Sequence, residues 1–146
     1  MIISKFLDAV QAEQLNGVWR LLSPLRYQSA LLRAIIEVPA GFVTDFSSVP
    51  RIPFVYLLVG NTAHAAAVLH DYLYQFHLPG IDRALADSVF YEAMVAHGEP
   101  QWRAWTIWSG VRLAGGAAWQ SGPERLQVLG GQRDPETGAS SSSVRT

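Results

Sequence analysis

A histidine and an aspartate, His70 and Asp71, stand side by side in an apolar, alanine-rich segment over residues 65–74. Two further carboxylates lie along the chain on either side, Asp45 before the pair and Asp87 after it. An imidazole with two or three carboxylates is a reasonable ligand set for Zn, Mn or Fe, and a metal held in this way can activate water for hydrolysis. We predict His70, Asp71 and Asp87 as the ligands of one divalent transition metal. The predicted catalytic residues are Asp45, His70 and Asp71, with Asp45 as a further ligand or the general base.

The same polar residues also have a structural interpretation, because a cation and an anion buried in an apolar segment are costly unless they find partners. In this interpretation Asp71 pairs with Arg83 or Arg51. Asp87 pairs with Arg83 one helical turn before it, and His70 donates to a backbone carbonyl. Arg51 and Arg83 would then belong to a structural polar network, and the sequence does not decide between this network and the metal site.

Two other histidines and two serines lie close enough in sequence to extend such a site. His64 shares a helical face with Asp71, and His77 shares one with His70, so either histidine could supply a further ligand. Ser47 or Ser48 could act as a nucleophile with His70 as its base. No strand–elbow–helix glycine pattern surrounds these serines, so turn formation in the loop is the favoured role for them.

The elements that must position these residues change type along the chain. Two β-branched or aromatic runs, residues 18–27 and 31–43, predict the strands of a hairpin or small sheet with residues 28–30 between them. Pro39 and Gly41 predict a bend, and residues 44–53 predict an ordered loop. Three helices follow, as apolar periodicity and capping residues indicate. They are predicted from Asn61 or Thr62 to about His77, from the N-cap Asp82 through His97, and from Glu99 and Pro100 to about Trp119.

These elements predict an α+β fold in which a small antiparallel β portion is followed by a three-helix bundle. The length of 146 residues suits one domain, which we place at residues 1–120. From residue 121 to residue 146, Gly, Pro, Ser and charged residues replace the aromatics, and this composition predicts a flexible tail.

Composition excludes several classes of function. The chain is 49% hydrophobic with a formal net charge of −1, so no basic surface for nucleic acid is predicted. It has no cysteine, which excludes disulfides, iron–sulfur centres and cysteine nucleophiles. No export signal is visible at the N-terminus. The uncharged stretch over residues 52–69 contains Pro53 and Gly60, which suit a loop better than a bilayer, so no membrane segment is predicted.

A tryptophan stripe marks the third predicted helix. Trp102, Trp105 and Trp108 recur every three residues and therefore wind slowly around the helix. Most of these aromatic side chains are expected in the core, and any that are exposed would be good anchors for a protein or carbohydrate partner. A phage or host protein could bind this helix or the C-terminal tail.

Three ordered motifs together resemble a known family. They are VPAGFVTDFSSVPR at residues 38–51, AAVLHDYLY at residues 66–74, and RALADSVF at residues 83–90 followed by Met94. In this order and spacing they closely resemble small proteins encoded by tailed bacteriophages and prophages, which form a domain of unknown function, number 1353. The resemblance covers roughly residues 21–119. That family usually has Ala at the position of Ser47, which weakens a nucleophile role for this serine.

The resemblance implies a phage or prophage origin, with the protein located in the host cytoplasm or the virion, and implies no reaction. From the residues we favour a metal-dependent hydrolase with a His–Asp centre. The alternative is a non-enzymatic tail or assembly protein, or an inhibitor of a host protein, in which the His–Asp cluster is a structural polar network. Whether the protein is an enzyme is therefore left open by the sequence.

Overall fold

A computed structural model describes residues 1–44 and 63–122 of the chain. In these residues the strands come first and the helices follow, so the protein has the predicted α+β class. The strands are β1 (Lys5–Phe6), β2 (Ala12–Leu15), β3 (Val18–Leu21), β4 (Leu25–Ser29), β5 (Ala34–Val38) and β6 (Val43–Thr44). The helices are α1 (His64–Phe76), α2 (Arg83–Ala96) and α3 (Gln101–Ala114).

The strands form two small antiparallel sheets, ordered β1-β4-β5 and β2-β3-β6. The first sheet is built on the hairpin of β4 and β5, in which Leu25 pairs with Val38 and Ser29 pairs with Ala34. Side chains alternate between the two faces of a strand. Leu25, Tyr27 and Ser29 of β4 are accordingly buried toward the helices, while the residues between them are less buried.

The hairpin differs from the predicted one. Residues 18–27 do not form one strand, because the chain leaves the second sheet after Leu21 and enters the first at Leu25. Pro24 lies in this break, where its missing N–H cannot interrupt a ladder. The predicted bend at Pro39 and Gly41 is present: Gly41 has a φ of 86° and donates its N–H to the carbonyl of Leu21. Strands β1 and β2 were not predicted, since each has at most four residues and little alternation.

Helices α1 and α2 end where the sequence indicates. The C-cap of α1 is His77, which adopts a left-handed φ of 45°. The N-cap of α1 is Ala63, which has no side chain able to cap the helix. The predicted N-cap was Asn61 or Thr62, and both residues lie outside the described part. Asp82 caps α2 as predicted, accepting a hydrogen bond from the N–H of Leu85 at 2.8 Å. Gly98, with a φ of 107°, follows the end of α2.

The third predicted helix is interrupted. Helix α3 ends at Ala114, and after Gly115 the chain is helical again over residues 116–122. The three-helix bundle is therefore not confirmed, because this further helical segment follows. Two consecutive glycines weaken a helix. Glycine is also needed where another part of the chain packs too closely to leave room for a side chain. A Cβ on Gly115 would lie 2.6 Å from the carbonyl oxygen of Val111 and 2.9 Å from the Tyr74 hydroxyl. The predicted tail begins inside this segment, and residues 123–146 lie outside the described part.

The core lies between the β1-β4-β5 sheet and the helices. Helix α2 packs against β1 and β4 on one side and against both α1 and α3 on the others. Its largest fully buried side chains include Phe90 and Met94, which meet Tyr27 and Leu25 of the sheet in one cluster. None of the helices in the described residues has the length and apolar content needed to cross a membrane.

Glu92 of α2 joins the helical layer to the first hairpin. Its Oε1 accepts hydrogen bonds from the Tyr27 hydroxyl at 2.9 Å and the Ser29 hydroxyl at 2.7 Å. Its Oε2 accepts from the backbone N–H of Leu31 at 2.8 Å, in the turn of the hairpin. One carboxylate therefore satisfies three donors of the β4–β5 hairpin. Burial, together with the hydrogen bond to Glu92 and its negative charge, raises the pKa of Tyr27.

We expect Glu92→Ala to lower the free energy of unfolding by about 1–3 kcal/mol, because it leaves partly buried donors without their acceptor. The measurement is urea denaturation followed by circular dichroism. Glu37→Ala removes an exposed carboxylate from β5 and is the matched control, with an expected change of about 0.5 kcal/mol or less. Equal losses of unfolding free energy in the two variants would contradict the conclusion that Glu92 stabilises the contact between α2 and the β4–β5 hairpin.

Candidate functional site

His70 lies at the centre of the helical half. Its side chain projects from α1, and its exposed fraction is 0%. The rings of Tyr74 and Phe90 lie against it, with centroid distances of 4.1 Å and 4.4 Å. Its Nε2 lies 2.8 Å from Oδ1 of Asp87, across the interface between α1 and α2. The structure therefore brings together two of the predicted site residues in an aromatic, water-excluding environment.

Asp87 of α2 accepts hydrogen bonds from side chains of α1 and α3 and has an ion-pair partner on α2 itself. Its Oδ1 accepts from the Tyr74 hydroxyl at 2.6 Å as well as meeting His70. Its Oδ2 accepts from Nη1 of Arg112 on α3 at 2.7 Å. Arg83, one turn before Asp87 on α2, places its Nε 3.9 Å from the same Oδ2. This fully buried carboxylate is thus the common partner of side chains from α1, α2 and α3.

Arg83 contacts the end of α3. Its Nη2 donates to the carbonyls of Val111 at 3.0 Å and Arg112 at 2.7 Å, and its Nε lies 3.4 Å from the Tyr74 hydroxyl. The last carbonyls of a helix have no intrahelical donor and carry the negative end of the helix dipole. Arg83 therefore caps α3 from a neighbouring helix, and it contacts Asp87 and Tyr74 rather than Asp71.

The partners of Asp87 determine its protonation. Burial raises the pKa of this carboxyl, but the hydrogen bonds from His70 and Tyr74, the charge of His70 and the hydrogen bond from Arg112 outweigh burial and lower it below the ordinary aspartate value. Asp87 is therefore ionised at neutral pH and can only accept hydrogen bonds. Since it only accepts, Nε2 of His70 carries a proton and donates it to Oδ1. Burial and the neighbouring Asp87 in turn raise the pKa of Tyr74, which stays a neutral donor.

Asp71 belongs to a different group of side chains. Adjacent helical residues point about 100° apart, so Asp71 leaves α1 in another direction from His70. Its Oδ2 accepts hydrogen bonds from the Thr44 hydroxyl at 2.5 Å and from Nε2 of Gln75 at 2.8 Å. Like His70, it is fully buried. The structure thus separates the adjacent pair, placing His70 with Asp87 and Asp71 with β6.

The remaining predicted site residues are distributed as follows. Asp45 and Arg51, as well as Ser47 and Ser48, lie outside the described residues. Over residues 1–44 and 63–122 there is no group of three or more His, Asp or Glu side chains that could hold a metal ion. The metal site with Asp45 as catalytic residue therefore stays a prediction. His77, considered as a further ligand, instead donates from Nε2 to the carbonyl of Trp119 at 2.8 Å, with the two rings stacked.

Four members of these polar groups were missed from the sequence: Thr44, Tyr74, Gln75 and Arg112. Tyr74 stands four residues after His70, on the same face of α1, so helical spacing alone could have suggested it. Gln75 has the same spacing from Asp71. Arg112 gives no such signal, because it reaches Asp87 only through the packing of α3 on α2.

The comparisons with known proteins add one finding. Residues 19–111 match a family model described as a protein of unknown function (DUF1353). The matched stretch contains most of β3, the strands after it, α1, α2 and most of α3, and with them His70, Asp71 and Asp87. No curated protein and no solved structure is matched by the chain.

Asp87→Asn should lower the free energy of unfolding at pH 7 by about 1–3 kcal/mol, because a neutral amide replaces a buried acceptor of charge-assisted hydrogen bonds. The pKa of Asp87 is lowered in the folded state, so its contribution is present above the unfolded value near 3.9 and is lost as the pH falls through the folded value. The difference between wild type and variant should therefore shrink below about pH 4. Chemical denaturation at a series of pH values measures it.

Asp82→Asn is the control for this experiment, since Asn caps a helix as well as Asp and the side chain is exposed. It should leave stability nearly unchanged at every pH. A pH-independent difference between wild type and Asp87→Asn would contradict an ionised Asp87 in the folded protein.

Proposed function

Because the chain belongs to the family described as protein of unknown function (DUF1353), whose description states no activity, we propose its function from the geometry of its polar centre and surface. It is a phage- or prophage-encoded protein that acts by binding a protein partner in the virion or the host cytoplasm. It does not act by catalysis at His70 and Asp87.

The observation that carries this proposal is the complete burial of the His70–Asp87 pair. Both side chains have an exposed fraction of 0%. A general base must come within hydrogen-bond reach of its substrate, directly or through one water. Both oxygens of Asp87 already accept from His70, Tyr74 and Arg112 inside the protein. These contacts suit a network that holds the helices together.

The surface that supports partner binding is the outward face of α3, which we call the α3 face and define by Trp102, Trp105, Thr106, Ser109 and Leu113. At helical spacing these residues lie on the side opposite the buried Ala104, Ile107 and Val111. Trp102, Trp105 and Leu113 are 67%, 60% and 89% exposed. The expectation that most tryptophans of this helix are core residues is therefore wrong for these two, whereas Trp108 packs against the core.

The charge around the α3 face indicates the chemistry of the partner. The face itself has no ionisable side chain. Arg103 and Arg112 on the same helix are directed to Glu99 and Asp87, in ion pairs of 3.3 Å and 2.7 Å. Exposed tryptophans are favoured anchors at protein interfaces, where they fill apolar pockets. The partner surface that fits is an apolar, uncharged groove on another protein of the phage or its host.

A first experiment separates this proposal from a metal-dependent hydrolase. We expect protein purified without a histidine tag and supplemented with Zn, Mn or Fe to hold no stoichiometric metal by elemental mass spectrometry. His70→Ala should lower the free energy of unfolding by about 1–3 kcal/mol, since it removes a donor from buried Asp87. His97→Ala, which removes an exposed imidazole, should have little effect. About one equivalent of metal, lost in a folded His70→Ala variant, would contradict the proposal.

A second experiment tests the α3 face. The photoreactive residue p-benzoylphenylalanine is introduced at Trp105, or at the exposed Ala84 of α2 as a control, in cells infected with the phage that carries the gene. We expect a discrete crosslinked product with one other protein from position 105 and none from position 84. A Trp102→Ala substitution should reduce this product. Crosslinks only to a second copy of the chain, or equal labelling from both positions, would contradict a specific partner at this face.

A further inference from the structure

A cavity of about 440 Å³ is lined by residues of the β2-β3-β6 sheet and of α1. It opens between the β2-β3-β6 sheet and the first turns of α1, with His97 at the end of α2 on its border. Pockets of roughly 300–1,000 Å³ with mainly apolar walls are typical of small-molecule sites. Neither His70 nor Asp87 is among the described residues that line it, so this cavity is separate from the buried polar centre.

Small side chains create this space. Ala9 and Ala12 border it from the β1–β2 segment and Ala65 borders it from the first turn of α1. Each alanine stands where a larger side chain would reach into the gap between sheet and helix.

Polarity is graded from the floor of the cavity to its mouth. Leu21, Ala65 and Val68 are buried and form an apolar floor, and the half-buried indole of Trp19 forms a wall. The exposed imidazoles of His64 and His97 lie at the mouth. A molecule that fits this gradient has an apolar body and one polar end.

The charges of the lining restrict the ligand further. No carboxylate, ammonium or guanidinium group is among the described lining residues. An ionised group carried into such a site would lose its hydration without an opposite charge to replace it. We propose that this cavity binds a small, uncharged ring compound, whose apolar ring lies over Trp19 and whose hydrogen-bonding group points to the mouth between His64 and His97. This inference does not depend on the proposed partner binding.

The test uses 2-naphthol, an uncharged aromatic alcohol, added at pH 8 to the full chain with ¹³C-labelled alanine and valine methyl groups. We expect saturable chemical-shift changes at the methyls of Ala65 and Val68, and none at the exposed Ala84 of α2. 2-Naphthoate has the same ring with a carboxylate and should bind at least about tenfold more weakly, because no described lining residue carries a positive charge to balance it.

Cavity-filling variants complete the test. Ala65→Leu and Ala12→Leu should each weaken 2-naphthol binding at least about tenfold, while Ala84→Leu should leave it unchanged. The two filling positions lie on different elements, so at least one folded variant is expected. No saturable shift at Ala65 and Val68, equal binding of naphthoate, or unchanged binding in a folded filling variant would each overturn the proposal.

Discussion

The arrangement of the helices depends on the hydrogen bonds and ion pairs that the buried carboxylate of Asp87 makes. Removing an ionised group from water costs several kcal/mol, and only well-aligned donors compensate for this cost. Asp87 has His70, Tyr74 and Arg112 within hydrogen-bond distance, and Arg83 nearby. Helices α1 and α3 therefore donate hydrogen bonds to the two oxygens of this α2 residue, and Arg83 of α2 adds a positive charge 3.9 Å away. A helix that shifted along its neighbour would leave part of this charge without compensation, so the network specifies one packing of α1, α2 and α3.

The need to keep water away from Asp87 and to pack the helices closely also explains the aromatic and small residues around His70 and along α1. His70 is enclosed by the rings of Tyr74 and Phe90, which exclude water and strengthen each hydrogen bond to Asp87. Helix α1 has alanines over residues 65–67, which let neighbouring elements approach closely. At its other end, Gly122 lies so near the backbone of Tyr74 that a Cβ there would meet the carbonyl oxygen at 1.9 Å. The helical segment after Gly115 can therefore pack against α1 only with glycine at this position.

The order of strands and helices, the α+β class and the cap at Asp82 were predictable from the sequence, because each follows from periodicity or from one residue acting on its own backbone. The tertiary partners were not. His70 and Asp71 are adjacent in sequence yet belong to separate groups, one with Asp87 and one with Thr44, and helical geometry allowed this division without specifying it. Arg112 contacts Asp87 from 25 residues away, and no local pattern indicates that contact. The close approach of the Tyr74 hydroxyl to Gly115 is likewise a tertiary contact that the sequence of α3 alone does not indicate.

The polar network and the α3 face are physically linked. Arg112 binds Asp87 with its side chain, and Arg83 binds the carbonyls of Val111 and Arg112. Together these contacts fix both the position of α3 along α2 and its rotation about its own axis. Because rotation is fixed, the side chains opposite Ile107 and Val111 must face solvent, and these include Trp102 and Trp105. Exposing an indole to water is unfavourable, and a helix free to rotate would bury it. The contacts of Arg83 and Arg112 prevent this rotation. The internal network therefore holds an apolar face outward, on which the proposed binding of a protein partner depends.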